Sequence, residues 1–214
     1  MSDPLTQLGV HYNTNKAFYH GYTRFYDNLL SKRRESLQTM LEIGIDTGAS
    51  MLMWRDYFSN AQIYGIDLVI PSAVQNQPRL VPGVADQEHV DQLQSLLTQW
   101  NNPMFDFIID DGGHHVKQQR VSFEFLWSRV KPGGVYIIED LHTNILPFFY
   151  NHPHLHPRLI TTYIDESPTV HERIGELMSG NPTAFSIPSN EIEDVYYFSN
   201  LSTKSLSCAF LKKS

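Results

Sequence analysis

The chain has 214 residues, a net charge of −7, 41% hydrophobic and 18% charged residues, which suits one globular domain with a sizeable core. The balance of 23 acidic to 16 basic residues leaves no basic footprint for nucleic acid at whole-chain level. One cysteine, Cys208, excludes an internal disulfide, no apolar run nears the ~20 residues of a membrane span, and MSDPLTQLGVHY lacks the charged and apolar regions of a signal peptide, so a soluble cytoplasmic protein is expected.

In chain order, residues 1–20 are polar and read as irregular. Tyr22–Leu30 reads as a helix, with Phe25, Tyr26, Leu29 and Leu30 at helical spacing. Lys32-Arg33-Arg34 suits a helix end, where cations complement the dipole, better than a phosphate site. Thr39–Ile45 reads as a buried strand, and Gly48–Phe58 as a helix turning Met51, Leu52, Trp54 and Phe58 inward. Gln62–Asp67 is a strand that ends in an acid, Arg79–Val84 another strand, and Asp86–Trp100 a helix with Val90, Leu93, Leu96 and Leu97 on one face.

The organising stretch is Phe105 to Asp140. Two apolar runs, Phe105–Ile109 and Val135–Ile138, each end in an acidic pair: Asp110-Asp111 and Glu139-Asp140. A helical segment and a turn signal, Lys131-Pro132-Gly133-Gly134, lie between them. This is a βαβ unit, and its right-handed crossover brings both strand ends to one edge. The acids and His114–His115 therefore gather at a rim where open α/β sheets take ligands. Beyond it, 141–157 reads as loop, 159–178 as a helix interrupted at Pro168, 180–189 as loop, and Val195–Ser199 and Ser205–Leu211 as closing strands. The alternation predicts an α/β, doubly wound, mostly parallel sheet with an N-terminal helical addition, as a single domain over 1–214.

Three features carry chemistry. The first strand runs into its helix as Glu42-x-Gly44-x-x-x-Gly48, where glycines let the chain turn and a ligand approach the backbone. Asp67, closing the next strand, can accept hydrogen bonds from both hydroxyls of a nucleoside ribose. A pyrophosphate would want G-x-G-x-x-G, and the Asp46 carboxylate would repel it but not a sulfonium or an ammonium; S-adenosylmethionine is favoured over NAD. Asp86-Gln87, after the third strand, suits an adenine amino edge, or a helix N-cap, or both. Lastly, carboxylates crowded at one rim repel one another unless a cation or protons intervene, which points to a metal. The structural alternative makes these acids helix caps, with Asp110 structural or touching the cofactor. His115 reads as support rather than a second base, and His152, His154 and His156 as a loop over the acceptor mouth, with His142 placed to meet substrate.

The segments HYNTNK…HGYTRFY (11–26), LEIGIDTGASMLMWRDYF (41–58), IYGIDL (63–68), DQ (86–87), FDFIIDDGGHH (105–115) and KPGGVYIIEDLHT (131–143) resemble class I S-adenosylmethionine-dependent methyltransferases. More narrowly, the chain is similar to metal-dependent sugar O-methyltransferases of the macrolide-tailoring type and their rhamnose-methylating relatives. Gly113 stands where that family usually has serine, and the region after Leu141 matches poorly. The resemblance implies a seven-stranded Rossmann-like methyltransferase sheet and S-adenosylmethionine and Mg2+ as cofactors. It implies Asp111, Glu139 and Asp140 as metal ligands, and His114 as general base with Asp111 beside it in the catalytic pair. To the cofactor residues read from the motifs, Glu42, Gly44, Gly48, Asp67, Asp86, Gln87 and Asp110, it adds Lys16, Tyr22, Tyr12 and Tyr19 folding back over the cofactor. It makes 1–35 a helical cap and 141–190 the acceptor-specificity region.

The expected reaction is O-methylation of a sugar hydroxyl, as in a deoxyhexose such as rhamnose in a glycoside or glycan. The expected partner is a sugar or glycoside acceptor, with no nucleic acid and no membrane, and with room for a homo-oligomer. A catechol-type O-methyltransferase and a noncatalytic nucleoside-binding domain stand as alternatives.

Overall fold

The computed structural model describes residues 2–141, 189–200, 203 and 205–214. Seven strands form one sheet in the order β3-β2-β1-β4-β5-β7-β6. They are β1 (Thr39–Ile43), β2 (Gln62–Asp67), β3 (Leu80–Val84), β4 (Phe105–Asp110), β5 (Val130–Ile138), β6 (Ile192–Asn200) and β7 (Ser205–Lys212). The first five pair in parallel, and β7 runs antiparallel to both β5 and β6. This is the doubly wound, mostly parallel sheet that the sequence predicts. The order reverses between β1 and β4, the switch point at which such sheets open a crevice.

Period-two alternation fills both faces. In β5, Val135 and Ile137 join one core with Trp54, Phe107 and Ile109, while Tyr136 and Ile138 join the other with Leu41, Ile108 and Phe123. The helices α4 (Ala49–Tyr57), α5 (Val90–Gln99) and α6 (Val116–Leu126) form the crossovers. Among the described residues, no helix is long and apolar enough to cross a membrane.

Three local expectations need correction. Residues 1–20 are not irregular: α1 (Pro4–His11) starts at Asp3, whose carboxylate caps Thr6 N at 2.7 Å, and α2 (Asn15–Phe18) starts at Thr14. The polar surface hid helices that bury Leu5 fully while leaving Val10 and Phe18 exposed. Lys131–Gly134 is not a turn but the start of β5, where the register with β4 slips between Phe105 and Phe107 and Gly133 takes φ 71°. The helix expected from Asp86 starts instead at Val90, with His89 as its cap. Tyr22–Leu30, here α3, matches its prediction. The readings for 142–188 lie outside the described residues.

Candidate active site

The carboxyl ends of β1, β2, β3 and β4 open into a cleft of about 900 Å3. Its floor is the β1–α4 loop. Gly44 and Gly48 take φ 88° and 89°, and a Cβ at Gly44 would collide with the Asp111 carbonyl oxygen. The loop is pinned by Asp67. One of its oxygens accepts from Ile45 N at 2.6 Å and Asp46 N at 3.0 Å, and the other from Leu68 N at 2.6 Å. A carboxylate has about four lone-pair positions, so capacity remains for a ligand.

Asp86 and Gln87 also line this cleft. Asp86 accepts from Glu88 N at 2.9 Å, a tight local turn, and is not the cap of α5. Gln87 is buried; its amide nitrogen donates to Asp110 at 3.0 and 3.1 Å, and its oxygen accepts from Gly113 N at 2.8 Å. Asp110 is thus a buried anchor for Gln87 and Ser122; burial pushes its carboxyl up to about 6 against those hydrogen bonds. Neither it nor Glu42 lines the cleft. Glu42, expected at the cofactor, lies fully buried and accepts from Trp54 Nε1 at 3.2 Å, and burial lifts its carboxyl to about 7 against the pull of Lys16.

At the other end stands the acidic group. Asp111, His114 and Asp140 line the cleft, and one ligand atom of each lies within 4.8 Å of the others. His114 Nε2 is 3.9 Å from Asp111 Oδ1 and 3.6 Å from Asp140 Oδ2. His114 and Asp140 hold φ of 58° and 53°, backbone that non-glycine residues adopt at a cost, so the turns aim these side chains inward. The two carboxylates fit a hard divalent cation, with the imidazole beside them. Gly113 packs so closely on Gln118 that a side chain there would displace the glutamine, whose oxygen accepts from His115 N at 3.3 Å in the capping box that starts α6.

Glu139, the third expected metal ligand, is placed elsewhere. It is 1% exposed and does not line the cleft. Its Oε1 accepts from Tyr26 at 2.6 Å and its Oε2 from Lys16 Nζ at 2.9 Å. Lys16 and Tyr22, expected over the cofactor, belong to this layer too. The Lys16 ammonium is buried against Asp111 and Glu139 and 3.7 Å from Glu42. Burial lowers its pKa, but the three acids raise it more, so it stays charged. Burial and the Asp111 charge push the Glu139 carboxyl upward, opposed by Lys16. Tyr22 donates to Asp140 Oδ1 at 2.7 Å.

The sequence reading missed Tyr26 and His20 as members. His20 stacks on Tyr22 at 5.0 Å and meets Ser205 Oγ at 2.6 Å. The only signal was the density of aromatic and polar residues in 11–26. Of the aromatics there, Tyr12 lines the cleft and donates to Asp56, while Tyr19 is exposed.

Residues 41–141 match a family model described as a methyltransferase domain. These residues belong to the methyltransferase domain family. Among curated proteins, mycinamicin VI 2''-O-methyltransferase of Micromonospora griseorubida is 35% identical over 154 residues, 68% of this chain and 38% of that protein. The 8-demethyl-8-alpha-L-rhamnosyl tetracenomycin-C 2'-O-methyltransferase of Streptomyces olivaceus is 32% identical over 152 residues, 68% and 39% respectively. The solved structure of MycE methyltransferase in complex with Mg, SAH and mycinamycin VI shares the fold at TM-score 0.71 and 27% identity, over 99% of this chain and 55% of that one. The chain thus spans about two-fifths of the length of these curated relatives. Within the methyltransferase domain match lie the glycine loop, Asp67, Asp111, His114, Glu139 and Asp140; Lys16, Tyr22 and Tyr26 precede it.

Proposed function

We propose that this methyltransferase domain transfers the methyl group of S-adenosylmethionine to a sugar hydroxyl of a glycoside, with Mg2+ at the acidic group. The observation that carries the reading is the single cleft that holds the Asp67-pinned glycine loop at one end and Asp111, His114 and Asp140 at the other. The names of the relatives supply the acceptor class, and the MycE complex the pairing of Mg with SAH. A deoxyhexose such as rhamnose is the finer form of the proposal, from the rhamnosyl acceptor in one relative's name.

S-adenosylmethionine supplies an electrophilic methyl on a sulfonium, and a divalent ion supplies a Lewis acid that makes a nearby hydroxyl more acidic. The chain does the rest. Asp67, fixed by three backbone amides, accepts from the ribose hydroxyls, while Gly44 lets the nucleoside approach the main chain. Asp46, in the same loop, leaves a negative charge where a cationic cosubstrate arrives. Asp111 and Asp140 are the residues that would hold the cation. His114 Nε2, within 4 Å of both, would take the proton from the acceptor hydroxyl as its oxygen bonds to the methyl carbon, the carbon–sulfur bond breaks and its electron pair leaves with sulfur as a neutral thioether. Holding both reactants in one cleft supplies much of the acceleration. Residues 1–35 as a cap and 141–190 as the acceptor-specific region remain part of this proposal.

The test is turnover with S-adenosylmethionine and a simple rhamnoside, followed by mass spectrometry, with Mg2+ or with EDTA. A methylated sugar formed only with Mg2+ supports the reading. Methylation that is indifferent to EDTA removes the metal from it. A chain that binds S-adenosylmethionine but methylates no glycoside loses the acceptor assignment.

A further inference from the structure

Gln118 lies in the first turn of α6 and lines the cleft together with Asp86, Gln87, Gly112 and Gly113. Its carboxamide fills the room left by the missing side chain of Gly113, where a Cβ would collide with Gln118 Oε1. The capping box sets its orientation, because a backbone N–H only donates and the atom that accepts from His115 N must be the oxygen. The Nε2 is left over, and among the described residues it has no hydrogen-bond partner. Gln87, packed against Gly112, is in the opposite state. Its Nε2 is engaged by Asp110 and, at 3.2 Å, by Ser122 Oγ, so its side chain has no donor left for a ligand. Asp86 is an acceptor with room: Oδ1 accepts from Glu88 N, and lone pairs remain on both oxygens. Leu68, 64% exposed and next to Asp67, lines the same cleft and offers an apolar face to a flat ring.

We propose that Gln118 is a further cofactor-binding residue, its Nε2 donating to the purine ring nitrogen, N1 or N7, that flanks the 6-amino group held by Asp86. The inference deepens the S-adenosylmethionine reading and rests on it. Adenine presents its amino donor between two ring acceptors, so a site that reads this edge needs an acceptor and a donor together, as one carboxamide supplies when it pairs with N6 and N7 of adenine. Here the two functions are divided between Asp86 and Gln118. A 6-oxo purine would turn an acceptor toward the Asp86 carboxylate, so the pair also selects against it. The room at Gly113 is what admits the carboxamide: a serine there, as in the family that the sequence resembles, would displace it.

The experiment is calorimetric titration of S-adenosylhomocysteine, which lacks the sulfonium charge, into the wild-type chain and Gln118→Glu. Glutamate keeps the side-chain length and the oxygen that accepts from His115 N, so the capping box and the melting temperature of the ligand-free chain should hold, and only the donor is exchanged for an acceptor. An affinity lower than wild type by about tenfold or more supports the inference. A smaller loss overturns it and leaves the cofactor reading intact. A wild-type chain that binds no S-adenosylhomocysteine overturns the cofactor reading itself, and this inference with it. The 1-deaza and 7-deaza analogues of S-adenosylhomocysteine, each with a C–H in place of one ring nitrogen, give the second readout. The penalty of Gln118→Glu should vanish for one of the two, because the atom that Gln118 meets is then gone. A penalty of equal size on all three ligands would come from the added charge or a displaced α6, and overturns the inference.

Discussion

The two halves of the cleft rim use the same residue types in opposite ways. At the β1–β2 half, the acid Asp67 is exposed to the cleft and is held by backbone amides of its own and the neighbouring loop. At the β4–β5 half, Glu139 and Asp111 are held by side chains from the N-terminal helices, Lys16 and Tyr26, and Asp140 by Tyr22. The first half needs only local chain geometry to place its carboxylate. The second places like charges side by side, which requires a cation and hydroxyl donors brought from a distance. Changes in the first half should therefore fall on ligand binding more than on stability, and changes to the support of the second half on stability first.

The largest effect should fall on the supported half. Lys16→Met leaves buried carboxylates without their cation and should cost about 3–5 kcal/mol of stability in denaturant melts. A loss below about 1 kcal/mol would mean that the ammonium is not paired as described. His114→Ala should lower kcat by about 10²–10⁴-fold while S-adenosylmethionine affinity holds, measured by steady-state kinetics and calorimetry. If KM rises and kcat holds, His114 binds substrate and the base lies elsewhere. Asp67→Ala should weaken S-adenosylmethionine by about 1–3 kcal/mol with a smaller change in melting than Lys16→Met, which separates the two halves directly. Tyr26→Phe should cost about 1 kcal/mol, seen as a small drop in melting temperature, because it removes one hydroxyl from Glu139.

The smallest effect is a pH slope. Burial raises the Asp110 carboxyl from its ordinary range to about 6, so between about pH 4 and 6 the folded chain keeps a proton that the unfolded chain has released. That contribution is fully present at the acid end and is lost as pH rises through 6. Asp110→Asn lacks it, so the melting temperature of the variant minus that of the wild type should increase from pH 4 to pH 7. A difference that stays flat over that window would place the Asp110 titration at its ordinary value.

The contrast also explains what is legible in the sequence. The parallel strands announce themselves by apolar runs ending in acids, and Gly44, Gly48 and Asp67 by spacing within one βαβ unit, because each works through its own backbone. Asp111, His114 and Asp140 come together for the same reason: β4 and β5 pair, with Asp110 opposite Ile138. Glu139 and Glu42 look like rim acids in the sequence, but the parity of the strand turns them into the layer beneath, where burial and not sequence position decides their partner. Lys16, Tyr22 and Tyr26 stand out by resemblance or by helical spacing, yet nothing local tells an ammonium near the N-terminus that its partners are Asp111 and Glu139. The same long range conceals α1 and α2, whose helicity depends on packing against α3 and α4 more than on their own apolar content.

The division of the rim is tested most directly by titrating S-adenosylmethionine calorimetrically, in EDTA, into the wild-type chain, Asp67→Ala and Asp140→Asn. The account predicts wild-type affinity in Asp140→Asn and a loss of about tenfold or more in Asp67→Ala. Equal losses in both variants, or binding that Asp67→Ala leaves untouched, would contradict it.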